Sequence, residues 1–186
     1  EKFSFRNKNE IDKAIEEVKS KKFEINDISS KVVNRNPSGP FTTSTLQQVS
    51  SGRLGFGASR TMQIAQKLYQ GIEIDGETIG LITYMRTDGT NLSKDAISSF
   101  RDYIKNEFGN EYLPENPLNY SGKKAKNAQE AHEAIRPTDI MRAPNTLKKY
   151  LSTDQHKLYE LIWSRALSSQ MESAKFDRNT ITITSD

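Results

Sequence analysis

The sequence predicts an α+β protein that is mainly α, in which a helical domain is inserted into a split domain that contains β-strands. Two observations predict this class. Apolar residues at helical spacing, bounded by capping residues, fill most of the middle of the 186-residue chain. Runs typical of strands stand near the two ends and in one short hairpin. Since no strand close to the last one in sequence can pair with it, we expect it to return to the first segment.

The first segment has the pattern of a strand, a helix and a further strand. KFSF is a short alternating run, and Asn7 with Glu10 predicts a capping box for a helix that ends near Lys19. FEI and SSKVVN are the next strand candidates. The prolines and glycine of NPSGP then interrupt the chain. We therefore predict three parts: residues 1–40, an inserted domain over 41–170, and a return strand over 171–186.

Two helices around a glycine turn open the inserted domain. One of Thr42, Thr43 and Ser44 caps the first helix, and Ser59 caps the second, which ends at Gly71. IEIDGETIGLITYM predicts a hairpin with an Asp-Gly type I′ turn, whose second strand runs on through its final YM. Helix, turn, helix and hairpin is the order of a winged-helix DNA-binding unit, although many folds contain these elements.

The rest of the inserted domain is predicted to be helical. Ser93 caps a helix that ends near Phe108, and a polar loop, EYLPENPLNYSGKKAKNAQ, follows. AQEAHEAIR predicts a short helix that is stopped by Pro137. The last long helix begins near Ser152, with Gln155 completing a capping box. NTITITS closes the chain as a strand.

Composition excludes several classes of protein. The mean hydropathy is −0.75, and no apolar run approaches the roughly 20 residues of a membrane helix. No signal-peptide pattern opens the chain, and the absence of cysteine excludes disulfides and cysteine zinc sites. We expect a soluble cytoplasmic protein with no membrane partner. Because the first residue is Glu1 rather than Met, we also expect a piece of a longer protein.

The distribution of charge indicates a phosphate-binding surface. The net charge of +3 is mild, but no acidic residue occurs between Asp27 and Glu73. An acid-free basic stretch is typical of proteins that bind phosphates, although a polar surface can produce one by chance. The basic residues within it are Lys31, Arg35, Arg53, Arg60 and Lys67.

GLITYMRTDGTNLS places a tyrosine and an arginine at the end of an apolar run. Residues two apart in a strand face the same side, so Tyr84 and Arg86 face one side and Thr83 and Met85 the other. A free tyrosine ionises at about pH 10 and is a weak nucleophile at neutral pH. A neighbouring guanidinium favours the phenolate and holds the oxygens of a phosphate under attack. The spacing suits attack on a phosphodiester, although a strand tyrosine more often serves packing.

EAHEAIRPTD does not have the pattern of a zinc-binding helix. The second histidine would stand four residues after the first, where this chain has Arg136. On the predicted helix, His132 and Arg136 share a face that suits a phosphate or a sugar. The alternative is a solvated helix end in which Glu133 pairs with Arg136. The acidic residues of the hairpin are more typical of a solvated turn than of a metal site, so we predict no metal site.

GFGASR lies between the two central helices. It follows a helix rather than a strand, which excludes a dinucleotide-binding glycine loop. Phe56, between two glycines, is a candidate to stack on a base. Packing of the same ring between the helices is an equally good interpretation.

PFTTSTLQQ, GLITYMRTD and EAHEAIRPTD, in this order over residues 40–139, resemble the motifs of type IA DNA topoisomerases. Met85 is similar to the topoisomerase I and reverse gyrase branches, and the whole pattern looks like bacterial topoisomerase I. The resemblance implies a strand-breaking domain with winged-helix-like elements over residues 41–170. It also implies that residues 1–40 and 171–186 are parts of an arch domain.

The resemblance implies roles for individual residues. Tyr84 would break one DNA strand and become linked to its 5′-phosphate, with Arg86 and His132 as the other catalytic residues. Gly89 departs from the serine common in the family, and we expect it to remove a hydroxyl contact and loosen the strand–helix junction. We expect DNA contacts from Arg53, Phe56, Ser59, Arg60, Thr87, Asp88 and Arg136.

The resemblance also implies components outside this sequence. The family's Toprim domain binds Mg²⁺ and supplies a glutamate as general acid, so we expect no cofactor in this chain by itself and a magnesium requirement in its parent. The expected partners are single-stranded or negatively supercoiled DNA and other domains of the same polypeptide, in the cytoplasm at the nucleoid.

Two other interpretations compete with this one. A non-catalytic winged-helix DNA-binding module, in which Tyr84 is structural, stays open. A tyrosine recombinase or type IB enzyme would place its tyrosine after the His/Arg motif, whereas Tyr84 precedes His132 here, which argues against that class.

Overall fold

We analysed a computed structural model of the protein, which describes residues 4–120 and 132–185. It contains helices and strands together, so the predicted α+β, mainly helical class is confirmed. The chain divides into two compact units, Glu1–Arg35 with Ala174–Asp186 and Asn36–Ser173. The elements are α1 Lys8–Ser20, β1 Phe23–Arg35, α2 Thr43–Leu54, α3 Ala58–Gln70, β2 Ile72–Ile74, β3 Glu77–Ile79, α4 Lys94–Glu107, a 3₁₀ turn Asn110–Tyr112, α5 Pro144–Leu147, α6 Thr153–Ser168 and β4 Ala174–Ser185.

The first unit is a helix and a two-stranded antiparallel sheet. β1 pairs with β4 from Phe23↔Ser185 to Arg35↔Ala174, so the predicted return of the last strand to the first segment is confirmed. The two strand candidates FEI and SSKVVN are one continuous strand with an irregularity after Ile25. The KFSF strand is not formed at Ser4 and Phe5, and its first two residues lie outside the described part.

Nothing in this unit is buried among the residues that the structure describes. α1 begins at the predicted cap, where Asn7 accepts a hydrogen bond from the backbone of Glu10, but it has no buried residue. Its apolar face is open, since Ile15 is 44% exposed and Val18 55%. Every described residue of β4 is exposed as well.

The second unit has a packed core between helices. α2, α3 and α6 pack on one another, and α5 packs on α6. α2 begins at Thr42 with a capping box and ends at Gly55, whose φ of 68° is the left-handed conformation that favours glycine. α6 begins at Ser152 with the predicted box to Gln155. The fully buried side chains of this core include Phe41, Leu46, Leu68, Leu81, Ile135, Leu158, Tyr159 and Ile162.

A smaller cluster lies around α4, which begins at the predicted Ser93 cap. Phe100 and Ile104 of this helix are buried against Ile140 and Leu167. The predicted cap of α3 at Ser59 is wrong, because the helix begins at Ala58 with Gly57 as its N-cap, two residues before the predicted cap, and no side chain caps it.

The predicted hairpin forms but is shorter than expected. Asp75 and Gly76 have φ values of 51° and 91°, as a type I′ turn requires. β3 ends at Ile79, and the expected continuation of the strand to Met85 is wrong. The backbone N–H of Leu81 donates instead to the carbonyl of Leu68 at the end of α3 (2.8 Å). Hydrogen bonds with distant segments therefore replace the hairpin ladder here.

The helix predicted in AQEAHEAIR is also wrong for residues 132–136, the part of this run that the structure describes. Residues 132–137 are extended and form isolated bridges, Asn91↔Glu133, Phe41↔Ile135 and Ile82↔Pro137. The N–H of Ile135 donates to the carbonyl of Phe41 (2.8 Å), a partner far away in sequence. This segment therefore lies as an irregular strand beside the one that carries Tyr84. Among the described residues, no helix is both long and apolar enough to cross a bilayer.

Candidate active site around Tyr84

The segment that carries Tyr84 alternates between exposed and buried side chains. Tyr84 is 51% exposed and Arg86 is exposed, whereas Met85 is fully buried and Thr87 nearly so. The predicted sharing of one face by Tyr84 and Arg86 is consistent with this pattern, although the segment is not a regular strand. Burial of Met85 fixes the backbone so that the tyrosine and the arginine point away from the core.

Thr43 holds this backbone from one side. Its hydroxyl donates to the carbonyl of Met85 (2.7 Å) and accepts from the N–H of Thr87 (2.9 Å). Its own N–H donates to the carbonyl of Thr87 (2.9 Å). The start of α2 therefore fixes the two peptides that flank Arg86. The sequence placed Thr43 among the cap candidates, but nothing local revealed this second role.

Thr83 holds the same segment from the other side. Its hydroxyl donates to the carbonyl of Ala134 (2.7 Å), and its N–H donates to the carbonyl of Arg136 (2.9 Å). The N–H of Arg136 returns a hydrogen bond to the Thr83 hydroxyl (3.0 Å). Tyr84 thus follows a residue whose backbone and side chain are both anchored, which limits the positions open to the tyrosine.

A second tyrosine contacts Tyr84 directly. The ring of Tyr69, near the end of α3, meets the ring of Tyr84 edge-on, with centroids 5.3 Å apart and planes at 61°. Aromatic pairs of this geometry contribute about 0.5–1.5 kcal/mol beyond the area they bury. No local signal in the sequence indicates this contact, because it depends on how residues 80–84 run past α3.

A cavity of about 470 Å³ brings several predicted site residues together. Nδ1 of His132 stands 3.6 Å from a carboxylate oxygen of Asp88, and both side chains are largely exposed. The cavity is open and is lined by residues with polar or charged side chains, of which Arg86 is two positions after Tyr84. The residues that line it are Thr42, Thr43, Ser44, Arg86, Thr87, Asp88 and His132. Besides Arg86, three residues that were predicted to be catalytic or to bind DNA therefore line this cavity: Thr87, Asp88 and His132.

Arg136 does not join this cavity. Its side chain is 14% exposed, and it donates to a carboxylate oxygen of Glu133 (2.7 Å) and to the carbonyl of Pro137 (2.9 Å). The prediction that Arg136 shares a helical face with His132 is therefore wrong, because the segment is extended. The guanidinium of Arg136 is engaged within the protein, and its contact with DNA stays a prediction. The alternative pairing with Glu133 is confirmed.

Glu133 ties two parts of the site together. It accepts hydrogen bonds from the guanidinium of Arg136 and from the backbone N–H of Ser93 (3.0 Å), the cap of α4. Partial burial acts to raise the pKa of this carboxyl, but the hydrogen bonds from Arg136 and Ser93 outweigh it and lower the pKa below its ordinary value. The pair fixes the backbone that follows His132.

Two other predicted DNA contacts are occupied within the protein. Phe56 is 4% exposed, so the prediction of a ring free to stack on a base is wrong. The guanidinium of Arg60 lies over that ring, 4.7 Å from its centroid, and also pairs with Asp154 (2.5 Å). The ring of Phe56 packs in the core, as the alternative interpretation predicted.

Within residues 36–173, the basic residues of the acid-free stretch line two different cavities. Arg53 lines a separate cavity with Arg165, which does not include Tyr84 or Arg86. Ser59 and Lys67 line a groove along α3 together with Arg60. Lys31 and Arg35 lie on β1, in the other unit.

Gly89 permits a close approach of two backbones. A Cβ at this position would overlap the carbonyl group of His132. The expectation that glycine loosens this junction is therefore wrong, since any side chain here would push His132 away. The glycine is what allows His132 to lie beside residues 87–89.

The described residues do not fit a magnesium site. No group of three or more His, Cys, Asp or Glu side chains among them is close enough to hold a metal ion. We therefore derive no step of the chemistry through a metal bound by residues 4–120 or 132–185.

Comparison with known proteins identifies the family of this chain. The family model described as DNA topoisomerase matches residues 1–186. The DNA topoisomerase 1 of Rickettsia bellii is 52% identical over 186 residues, which are 100% of this chain and 23% of that protein. The DNA topoisomerase 1 of Haemophilus influenzae is 46% identical over 183 residues, 98% of this chain and 20% of that protein.

A solved structure is similar as well. Full-length topoisomerase I from Thermotoga maritima matches with a TM-score of 0.77 and 40% identity, over 92% of this chain and 27% of that one. The exposed tyrosine and arginine thus belong to a fold that DNA topoisomerases share. The chain is a member of the DNA topoisomerase family, as the motifs predicted, and it spans about a quarter of the length of these relatives.

Proposed function

We propose that this chain is the strand-breaking part of a type IA DNA topoisomerase and that Tyr84 is its nucleophile. The observation that carries the proposal is the exposed Tyr84 and Arg86, held on a backbone that Thr43 and Thr83 fix from two sides. Tyr84 contrasts with Tyr159, which is fully buried in the core and whose pKa burial raises well above the ordinary value.

The reaction transfers a DNA phosphate to the tyrosine and back. The Tyr84 oxygen attacks phosphorus, the bond from phosphorus to the 3′-oxygen breaks, and the strand remains attached through its 5′-phosphate. Tyrosine loses its proton and the leaving 3′-oxygen gains one. The phosphotyrosyl bond retains the energy for religation, so relaxation of negative supercoils requires no ATP.

The neighbours of Tyr84 have distinct roles in this proposal. The guanidinium of Arg86 stabilises charge on the phosphate oxygens through its fixed fork of donors. His132, which lines the same cavity as Arg86, positions the strand or assists proton transfer. The general acid for the 3′-oxygen and the Mg²⁺ belong to the Toprim domain that the family implies. A missing general acid costs about 10²- to 10⁴-fold, so this chain by itself relaxes no supercoils.

DNA binding by this chain is expected to be weak and largely independent of sequence. The α2–turn–α3 order followed by the β2–β3 hairpin supports winged-helix character in residues 41–170, with residues 1–40 and 171–186 as parts of the arch. About five phosphate contacts would give a log–log salt slope of about −3.5 on single strands. The other partners are the remaining domains of the same polypeptide, at the nucleoid.

The test uses the full-length protein and its Tyr84→Phe variant. Each is incubated with single strands labelled at the 5′ or 3′ end and then denatured. We expect a covalent adduct with the 3′-labelled part of the strand for the unchanged protein and none for Tyr84→Phe, with DNA binding nearly equal because the ring remains. Equal adducts in both proteins would refute the nucleophile, and no adduct in either would favour the non-catalytic DNA-binding module.

A further inference from the structure

A second open volume lies along α3. Arg86 lines both this volume and the cavity that His132 lines. We call this second volume the α3 groove. Its volume is about 670 Å³. The side chains that line it are Ser59, Arg60, Met62, Gln63, Ile64, Gln66, Lys67, Gln70, Arg86 and Asp154. Most come from one polar face of the helix, since their positions recur every three or four residues.

The charge of the α3 groove suits a nucleic-acid strand. Asp154 is the one acidic residue of its lining, and it is neutralised by its pair with Arg60. Of the three cations that line the groove, Lys67 and Arg86 form no ion pair with any described residue. A strand entering from Arg86 would therefore meet one further unpaired cation, Lys67, and no uncompensated carboxylate.

Amide side chains dominate the rest of the lining. Gln63, Gln66 and Gln70 each carry two N–H donors and a carbonyl acceptor. Donor and acceptor pairs of this kind match the edges of bases, which are accessible in a single strand. Amide N–H groups also contact phosphate oxygens, whereas an amide that both donates and accepts adds the ability to distinguish bases.

We propose that the α3 groove holds the nucleotides that adjoin the phosphate attacked by Tyr84, and that Gln63, Gln66 and Gln70 determine which bases are preferred there. Arg86 connects the two volumes, so a phosphate bound at Arg86 leaves the neighbouring nucleotides of the same strand at the entrance of the groove. The identity of the strand as a topoisomerase substrate rests on the proposed function. The binding of single-stranded DNA by the groove does not require that Tyr84 react.

The experiment compares the full-length protein with a Gln63→Ala/Gln66→Ala double variant and with Lys67→Ala. Gln63 and Lys67 are exposed and Gln66 is half-buried, so the fold should be kept, and thermal unfolding verifies it. Gln47→Ala, on α2 and outside the lining of the groove, is the matched control. Binding to short single strands of different base composition is measured over a range of salt, and cleavage sites on a mixed-sequence single strand are mapped.

The groove predicts a separate change for each variant. The double variant should lose about fivefold or more of the preference between bases at positions next to the break. Lys67→Ala should weaken the binding of all strands alike and reduce the log–log salt slope of binding by about 0.7. Gln47→Ala should change neither.

The two readouts separate the groove from the chemistry. Altered binding in the variants supports the groove even if the unchanged protein forms no adduct, a result that would refute the proposed function alone. Unaltered binding and an unaltered cleavage map would refute the groove while adducts at Tyr84 persist. The second result would leave a segment of protein as the occupant of this face.

Discussion

The two units of the chain differ in what holds them together. Residues 36–173 have a core of fully buried side chains, and the Tyr84 segment is anchored to that core by threonine hydrogen bonds. The unit of α1, β1 and β4 has a regular hydrogen-bonded sheet but no buried residue among those described. Backbone hydrogen bonds therefore define the shape of both units, and only one of them also has the packing that usually stabilises a fold.

This difference explains where a reactive side chain can be positioned. A nucleophile needs a backbone that does not shift, and Tyr84 is exposed on a segment whose alternate residues, Met85 and Thr87, are buried. The exposed isoleucines of β1 and β4 have no such support. A site in this chain is thus expected only in residues 36–173.

The largest expected effect concerns stability. Ile162→Ala removes a fully buried side chain and should lower the free energy of unfolding by about 2–5 kcal/mol, whereas Ile28→Ala, at a position 64% exposed, should change it by about 0.5 kcal/mol or less. Denaturant unfolding of this chain measures both. Equal losses would show that the sheet unit has a core after all.

The next effect concerns the arginine beside Tyr84. Arg86→Lys should reduce the rate of adduct formation in the full-length protein by about 10²- to 10³-fold, because an ammonium cannot reproduce the fork of donors. Arg178→Lys, on the exposed β4, keeps charge in the same way and should have no effect. Rates from labelled single strands provide the comparison, and near-normal activity of Arg86→Lys would remove Arg86 from the mechanism.

Gly89→Ala tests the close approach to His132. The added methyl group would overlap the His132 carbonyl, so we expect adduct formation to fall by about 10- to 10²-fold while this chain remains folded. Gly52→Ala is the control, because nothing lies within 4 Å of a Cβ there. Unchanged rates in Gly89→Ala would mean that the position of His132 is not needed.

Glu133→Gln tests the carboxyl that ties Arg136 to the cap of α4. The pKa of Glu133 is lowered in the folded protein, so its contribution is present above its ordinary value of 4.5 and is lost as pH falls through the lowered one. We expect the variant to be less stable by about 1 kcal/mol at neutral pH, with the difference vanishing in acid. Thermal unfolding against pH measures this, and Glu160→Gln on the exposed face of α6 should show no such trend.

The smallest effect concerns the ring contact of Tyr69. Tyr69→Leu should slow adduct formation by about 2- to 10-fold without weakening DNA binding, because the ring limits the orientations of Tyr84. Tyr69→Phe keeps the ring and should restore the rate. A loss in Tyr69→Phe as large as in Tyr69→Leu would point instead to the hydroxyl group.

Local signals predicted the elements that depend on neighbours in sequence. The caps at Asn7, Ser93 and Ser152 and the Asp-Gly hairpin are set by contacts within four residues, and all of them form. The return strand was predictable because β4 had no other partner. The length of the second hairpin strand was not, since its hydrogen bonds go to α3 and to residues 134–138.

The candidate site shows the same division. Tyr84 and Arg86 were identified from residue type, spacing and family motif, all of which are properties of a short segment. Arg136 pairs with Glu133, and Arg60 contacts Phe56 and Asp154. These contacts depend on the tertiary structure, so the sequence predicted DNA contacts for both arginines instead. Thr43, Thr83 and Tyr69 were missed because they act only through residues distant in the chain.

The residue that carries the covalently bound nucleotide can be identified directly. The full-length protein is trapped on a single strand, digested with a protease and a nuclease, and the nucleotide-bearing peptide is sequenced by mass spectrometry. We expect one modified peptide, with the nucleotide joined through its 5′-phosphate to Tyr84. A nucleotide on any other residue, Tyr69 included, or one joined through a 3′-phosphate, would contradict it.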